Sequence, residues 1–441
     1  MSVAPGASRR PYFPERGNEG YWAERYELSL DYRVGAGRLR ASAVISAFAT
    51  GPLNGFTLDL SDALRVNGVV VDGVPARFTH RGDKLRVVPA RGLQEGTLFV
   101  VEVEYRGVPR PAPSRWGGLG WDRLTDGVIV ASQPTGAPSW FPCNDRPGDK
   151  STYRISVTTG SAYTVVANGD LAARSRGAST TTWVYEQAEP MATYLASVQI
   201  GRYQETALAG PVPQRVFHPP RLGSRVRTDF ARQGQMIDLF TGLFGPYPFG
   251  SYTAVVVDDD LEIPVEAQGM SIFGRNHVDG RRGEERLVAH ELAHQWFGNS
   301  LTLGCWSEIW LHEGFAAYAE WLWSEASGGE TADALAARWH RKLATLPQDF
   351  PLADPAPRRL FDDRVYKRGA LTLHALRRAL GDEPFFALLR EWTATYQHGT
   401  VTTGHFARLA ARYSAAPLDP LFSAWLRTER LPPVPAPRPR W

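Results

Sequence analysis

The run His290-Glu291-Leu292-Ala293-His294, with Glu313 nineteen residues after the second histidine, limits what this chain can fold into more than any other feature. Two histidines four positions apart on a helix differ by about 40° around its axis, so both imidazoles leave one face. Zinc takes nitrogen, oxygen or sulfur ligands at tetrahedral corners, and a catalytic zinc keeps one corner for water. His290 and His294 can fill two corners, with a carboxylate from a second helix at the third. A fold that uses this pair must therefore bring two helices side by side. Glu291 projects beside the metal-facing side, where it can take a proton from water held there. The competing reading is a surface helix with two incidental histidines. The Glu313 segment argues against it, and the spacing predicts a zinc hydrolase.

The wider stretch from His290 to Asn299, followed by Trp310-Leu311-His312-Glu313-Gly314-Phe315-Ala316, resembles the aminopeptidase N family of gluzincins. The resemblance implies Glu313 as the third zinc ligand. One residue departs from the family in this stretch: His312 stands where Asn is usual. A helical neighbour of Glu313 faces about 100° away, so His312 is not expected to be a ligand. Glu320 lies seven residues, or two helical turns, beyond Glu313 and shares its face. A zinc-bound histidine normally donates its other N–H to a carboxylate, which makes Glu320 the candidate partner of a ligand imidazole. The tryptophans at 296, 306, 310, 321 and 323 read as packing around the two helices.

The same resemblance implies the rest of an active site. Tyr366-Lys367-Arg368-Gly369-Ala370 matches the family's Tyr-x-x-Gly-Ala, so Tyr366 is the expected donor to the oxyanion. The family's Gly-x-Met-Glu-Asn strand corresponds to Ile263-Pro264-Val265-Glu266-Ala267-Gln268, in which the Glu is kept and the Gly and Asn are not. Glu266 would hold a substrate's α-ammonium and so set the first peptide bond over the metal. Gln133, ten residues before Cys143 in a segment ending Phe141-Pro142-Cys143-Asn144-Asp145, would accept a further hydrogen bond from that ammonium. These residues imply an enzyme that removes N-terminal amino acids from peptides with one zinc ion per chain. An endopeptidase would use the same zinc core without the amine anchor. An epoxide hydrolase branch of the family shares Gln133, and a non-catalytic scaffold would be expected to have lost part of the set. The acidic run Asp258-Asp259-Asp260 reads as a solvated turn.

At 441 residues the chain exceeds one ordinary core, so two domains are expected. A net charge of +3 without a long basic run gives no footprint for nucleic acid or an anionic membrane. No stretch approaches 18 continuous apolar residues, and the first twenty residues hold no apolar leader, so a cytoplasmic protein is expected. Cys143 and Cys305 are too few and too far apart for a disulfide framework and are expected as free buried thiols. Self-association is left open.

Period-two alternation begins at Tyr26, Leu28 and Leu30, and short strands with turns such as Asn67-Gly68 and Asp72-Gly73 continue to about residue 200. From Glu284 the texture turns helical. The fold class is therefore α+β in two domains: an N-terminal antiparallel β-sandwich or saddle (1–203) and a thermolysin-like, mainly helical catalytic domain (204–441). Helices are expected at 224–243, 285–298, 307–325, 331–345, 366–380, 383–397, 402–413 and 418–428, with strands at 252–257 and 263–273. Gly381 is placed just past a helix end and Asp382 at the next N-cap. Residues 1–20 are expected to lack fixed structure, and the Pro-rich end from Leu431 to be an extended tail. Larger relatives carry a further C-terminal helical domain. The resemblance implies a cleft that is more open in this chain, or closed by a second subunit.

Overall fold

The computed structural model describes residues 12–435. Its first part is built on an eight-stranded sheet in which Tyr21–Arg33 lies between Arg38–Ala49 and Lys150–Gly160. Tyr26, Leu28, Leu30 and Tyr32 point into the core as the period-two pattern requires. Tyr21 and Ala23 are buried too, although they fall on the opposite phase. A register shift between Ala23 and Arg25 resets the alternation, as a bulge does. One pairing in this sheet, Tyr21–Arg33 with Lys150–Gly160, is parallel. Asp72 and Gly73 take positive φ (50° and 75°) and turn a hairpin. Asn67-Gly68 does not turn the chain: it lies inside Leu64–Val71, where the register shifts between Val66 and Gly68.

Between Gly201 and Gln204 the chain changes sheets. Val198–Gly201 pairs with Thr164–Ala167, whereas Gln204–Leu208 opens a separate five-stranded sheet with Gln214–His218, Tyr252–Val256, Met270–Phe273 and, at its edge, Val265–Ala267. The single strand expected at 263–273 is thus a hairpin. Gly269 takes φ +71° at its turn, and Asn168 Nδ2 grips the Gln268 carbonyl at 2.9 Å. The helix expected at 224–243 is two, Gly223–Asp229 and Gln233–Phe244. The break lets Phe230 turn into the core against Phe273, ring centroids 5.2 Å apart.

The remaining helices fall close to their expected places, with three instructive differences. The histidine helix stops at Ala293, with His294 as its cap. Asp382 is the first residue of its helix, not the N-cap, and its carboxylate pairs with Arg377 at 2.8 and 2.9 Å. Near the end, Asp419–Phe422 passes into a π-helical turn, Ser423–Arg427. Arg368 donates there to the carbonyls of Trp425, Thr428 and Glu429. A short parallel pair, Thr302–Leu303 with Thr400–Val401, interrupts the helical part.

Of the segment expected to lack structure, residues 12–20 are held in place. Arg16 pairs with Asp83 at 2.8 Å, and the Gly17 amide and Asn18 side chain both donate to the buried Asp59. Tyr12 reaches Asp354 in the helical part. Residues 1–11, and the tail beyond 435, lie outside the described residues; Leu431–Val434 and Pro435 carry no regular secondary structure. Cys143 is buried as expected, but Cys305 is exposed. The acidic run is partnered rather than merely solvated: Asp258 pairs with Arg221, Asp260 with Arg275, and Asp259 accepts from the Thr125 amide and hydroxyl. Among the described residues no helix is long and apolar enough to cross a membrane.

Candidate metal centre and active site

The histidine helix (Glu285–Ala293) is anchored at its start by Glu285, which accepts from Arg232 at 2.7 Å and from the Trp323 indole at 3.3 Å. Trp323 belongs to the glutamate helix (Trp310–Ala326), so this contact ties the two helices together. Past His294 the chain bends back through Gly298 at φ +130°, where an added Cβ would lie 3.3 Å from His294 Nδ1. Two polar residues after the histidine pair then hold the neighbouring edge strand. Gln295 accepts from the Gly269 amide at 2.8 Å, and Asn299 donates to the Ala267 carbonyl at 2.8 Å. That strand, Val265–Ala267, carries Glu266. Gln295 and Asn299 lie within the stretch that carries the resemblance, where their spacing alone gives them no task. Their task depends on a strand about thirty residues away, which no local pattern reveals.

Lys150, from the N-terminal sheet, donates to the Asn299 and Ser300 carbonyls at 3.0 and 2.8 Å and fixes the same loop from the other side. The lysine is half-buried, with no carboxylate partner at that contact, and desolvation lowers its pKa to about 7.

His290, His294 and Glu313 converge in the buried space between the two helices, with one donor atom from each all within 4.8 Å of one another. Glu313 Oε2 lies 3.5 Å from Nε2 of each histidine. Ligand bonds to zinc of about 2.0–2.1 Å put neighbouring tetrahedral corners roughly 3.3–3.4 Å apart. Both histidine nitrogens therefore stand from the Glu313 oxygen about as a shared zinc would place them. Both rings are also held from behind. His290 Nδ1 lies 2.8 Å from Glu320 Oε1, and His294 Nδ1 lies 3.0 Å from the Phe297 carbonyl. With Nδ1–H donating to each, the Nε2 lone pairs face Glu313, as metal ligation requires.

The electrostatics agree. Burial lowers the pKa of both imidazoles, but the surrounding carboxylates outweigh it: Glu313 and Glu320 hold His290 at about 9, and Glu266 and Glu313 hold His294 at about 10. Burial opposes the charge on Glu313 as well, yet the two histidines push its pKa far down. The cluster thus demands a cation, whether protons or a metal. Glu320, which burial would raise, is held at about 2 chiefly by Lys367, then by His290 and Arg286.

A second cluster, Glu266, Glu291 and His294, adjoins the first. Burial raises Glu266 to about 7 and also raises Glu291. One oxygen of each, Glu266 Oε1 and Glu291 Oε2, is buried with no hydrogen-bond partner. Gln133 Nε2 is likewise buried and unpartnered, on a half-buried residue of the N-terminal part. Orphaned buried polar atoms are uncommon in native proteins and cost free energy unless ordered water or a ligand satisfies them.

Tyr366 stands in the first turns of a third helix, Asp363–Leu380. Its ring stacks over His290 with centroids 6.0 Å apart and planes 18° apart. This helix crosses the glutamate helix at Gly314 and Gly369. A Cβ on Gly369 would sit 2.5 Å from the Gly314 Cα, so only glycines permit the approach. Gly369 follows Tyr366 by one helical turn, which gives the Tyr-x-x-Gly spacing a mechanical reason. His312 points away from the donors, and its Nε2 accepts from the Leu303 amide at 2.9 Å. Burial lowers its pKa to about 3, so it is a neutral acceptor. All five tryptophans singled out in the sequence are buried.

Comparison with known proteins places this geometry. The peptidase family M1 domain matches residues 229–425, and the peptidase M1 N-terminal domain matches residues 26–195. A crystal structure of an M1 zinc metallopeptidase from Deinococcus radiodurans superposes with a TM-score of 0.88 at 29% identity, covering 97% of this chain and 98% of that one. A mutant of the Deinococcus radiodurans M1 zinc metallopeptidase, bound to a Tyr-Ser-Ala substrate, superposes with a TM-score of 0.89 at 28% identity, covering 97% and 100%. Aminopeptidase M1-B of Oryza sativa subsp. japonica is 24% identical over 93% of this chain and 50% of its own length. For the leucyl aminopeptidase of Saccharolobus solfataricus the figures are 23%, 93% and 54%. The chain thus spans about half the length of these curated relatives. With both M1 models together covering most of its length, and with an M1 zinc metallopeptidase sharing its whole fold, the chain belongs to peptidase family M1.

Proposed function

We propose that the protein is a zinc aminopeptidase that removes N-terminal amino acids from peptides. The observation that carries this reading is the pairing of two clusters: a donor set spaced for zinc, and beside it buried carboxylates with unsatisfied oxygens. His290, His294 and Glu313 hold the ion, and Glu320 fixes His290. When bound, zinc supplies Lewis acidity and makes water a nucleophile near neutral pH. Glu291 takes the proton of the attacking water and returns it to the leaving amine. Tyr366 donates to the oxyanion that forms on the scissile carbonyl. Glu266, with Gln133 as a neutral second acceptor, holds the substrate's ammonium. Because its strand lies at a sheet edge, the substrate backbone can pair alongside it.

The change of sheet between Gly201 and Gln204 supports dividing the chain into a β domain of residues 1–203 and a catalytic domain of 204–441. Metal analysis tests the reading first: one zinc per chain is expected, with peptide cleavage lost on chelation and regained on adding zinc. A chain that binds no zinc, or cleaves equally well without it, would reject the assignment.

A further inference from the structure

We propose that Lys367 is a positioning residue for the metal centre, acting through Glu320 on His290. This rests on the zinc reading above. Lys367 Nζ lies 3.3 Å from each Glu320 oxygen, and Glu320 Oε1 lies 2.8 Å from His290 Nδ1. Lys367 is 7% exposed and Glu320 8%. The ammonium's other neighbour is the face of Trp339, 5.2 Å away. The next cation near Glu320 is Arg286, at 3.7 Å on a side chain 59% exposed. Lys367 is therefore the only buried lysine or arginine on this carboxylate among the described residues.

A buried carboxylate stripped of its partner carries an uncompensated charge and turns toward whatever cation or water remains. For Glu320 that means turning out toward Arg286, away from His290 Nδ1. His290 would then lose the acceptor that fixes its tautomer and the aim of its Nε2. Lys367 also directly follows Tyr366, whose ring stacks on His290. One helical turn thus constrains His290 twice, by a ring on its face and by a charge behind its carboxylate. The glycine crossing at Gly369 sets how far that turn stands from the glutamate helix.

The test is zinc affinity of the full chain, measured by competition with a chromophoric chelator at fixed pH, alongside thermal unfolding of the metal-free protein. Lys367→Met keeps the apolar stem against Trp339 and removes the charge; zinc binding is expected to weaken about tenfold. Lys367→Arg should restore affinity to within about twofold, because the charge returns. In a Glu320→Gln background, Lys367→Met should add less than about a twofold loss, since the group it acts on is gone. Should Lys367→Met fail to unfold cooperatively, Lys367→Gln carries the same expectation. Wild-type affinity in both neutral variants, or an equal loss in the Glu320→Gln background, would overturn the proposal. Absence of zinc binding by the unmodified chain would reject the metal reading itself.

Discussion

The two halves of the active site differ in how their polar atoms are satisfied. On the metal-facing side, both Nδ1 atoms have an acceptor, and Glu320 is met by His290, Lys367 and Arg286. On the side proposed to meet the substrate's amine, Glu266 and Glu291 each keep a buried oxygen with no partner, and Gln133 keeps a buried donor nitrogen with none. A resident ion needs ligands held rigidly in place, which suits a side built in advance; a passing substrate brings its own hydrogen bonds, which suits a side left incomplete. On the proposed reading, the unpartnered oxygens of Glu266 and Glu291 are the ones left for the substrate, while the groups behind the histidines are satisfied in advance.

Substitutions can break this contrast, and the largest effect falls at the boundary between the halves. Glu291→Gln should lower kcat by about 10³-fold or more while leaving zinc bound, because it removes the proton acceptor and no ligand. Steady-state kinetics with parallel metal analysis checks both parts. Tyr366→Phe should lower kcat by roughly 10²–10³-fold with little change in zinc content, as expected for a single oxyanion donor.

Glu266→Gln should cost about 10²-fold in kcat/KM, the loss of a charge-assisted bond to the ammonium. Its pH dependence sharpens the comparison. The ammonium needs Glu266 charged, and burial holds that group at about 7 in the metal-free molecule. Activity should therefore fall as pH drops through an apparent pKa at or below 7, and Glu266→Gln should remove that limb. Stability runs the opposite way. A carboxylate whose folded pKa is raised contributes fully below its unfolded value and loses that contribution as pH rises toward 7. Thermal melts of the metal-free protein between about pH 4.3 and 7 should show this slope, and Glu266→Gln should lessen it, leaving the share of Asp145 and Asp149, which burial also raises to about 7. The smallest effect belongs to Gln133→Ala, about three- to tenfold in kcat/KM, since Gln133 offers a neutral acceptor only.

How much of this was legible in the sequence depends on how local each relation is. That His290 and His294 share one helix face, and Glu313 and Glu320 another, follows from 3.6-residue geometry, which operates within one helix and needs no fold; that Glu313 completes the metal set was named through resemblance. Glu266, Gln133 and Tyr366 could be named only through resemblance, because each comes from a different element. Their neighbours were not legible at all. Gln295 and Asn299 act on a strand, Lys150 acts across from the other sheet, and Gly314 matters only because Gly369 faces it. The errors in the fold have the same origin. Asn67-Gly68 has turn chemistry but sits in a bulge that its partner strand imposes. The hairpin at Gln268-Gly269 is set by Asn168 and Gln295 from outside the segment. Residues 12–20 look unstructured by composition and are ordered by Asp59 and Asp83.

The most direct test is cleavage of matched peptides that differ only in whether the N-terminus is free or acetylated, using zinc-loaded protein. Turnover of the free-amine peptides alone is expected, one residue at a time from the N-terminus. Equal cleavage of the acetylated peptides would contradict it, because the unsatisfied carboxylate at Glu266 would then have no amine to hold.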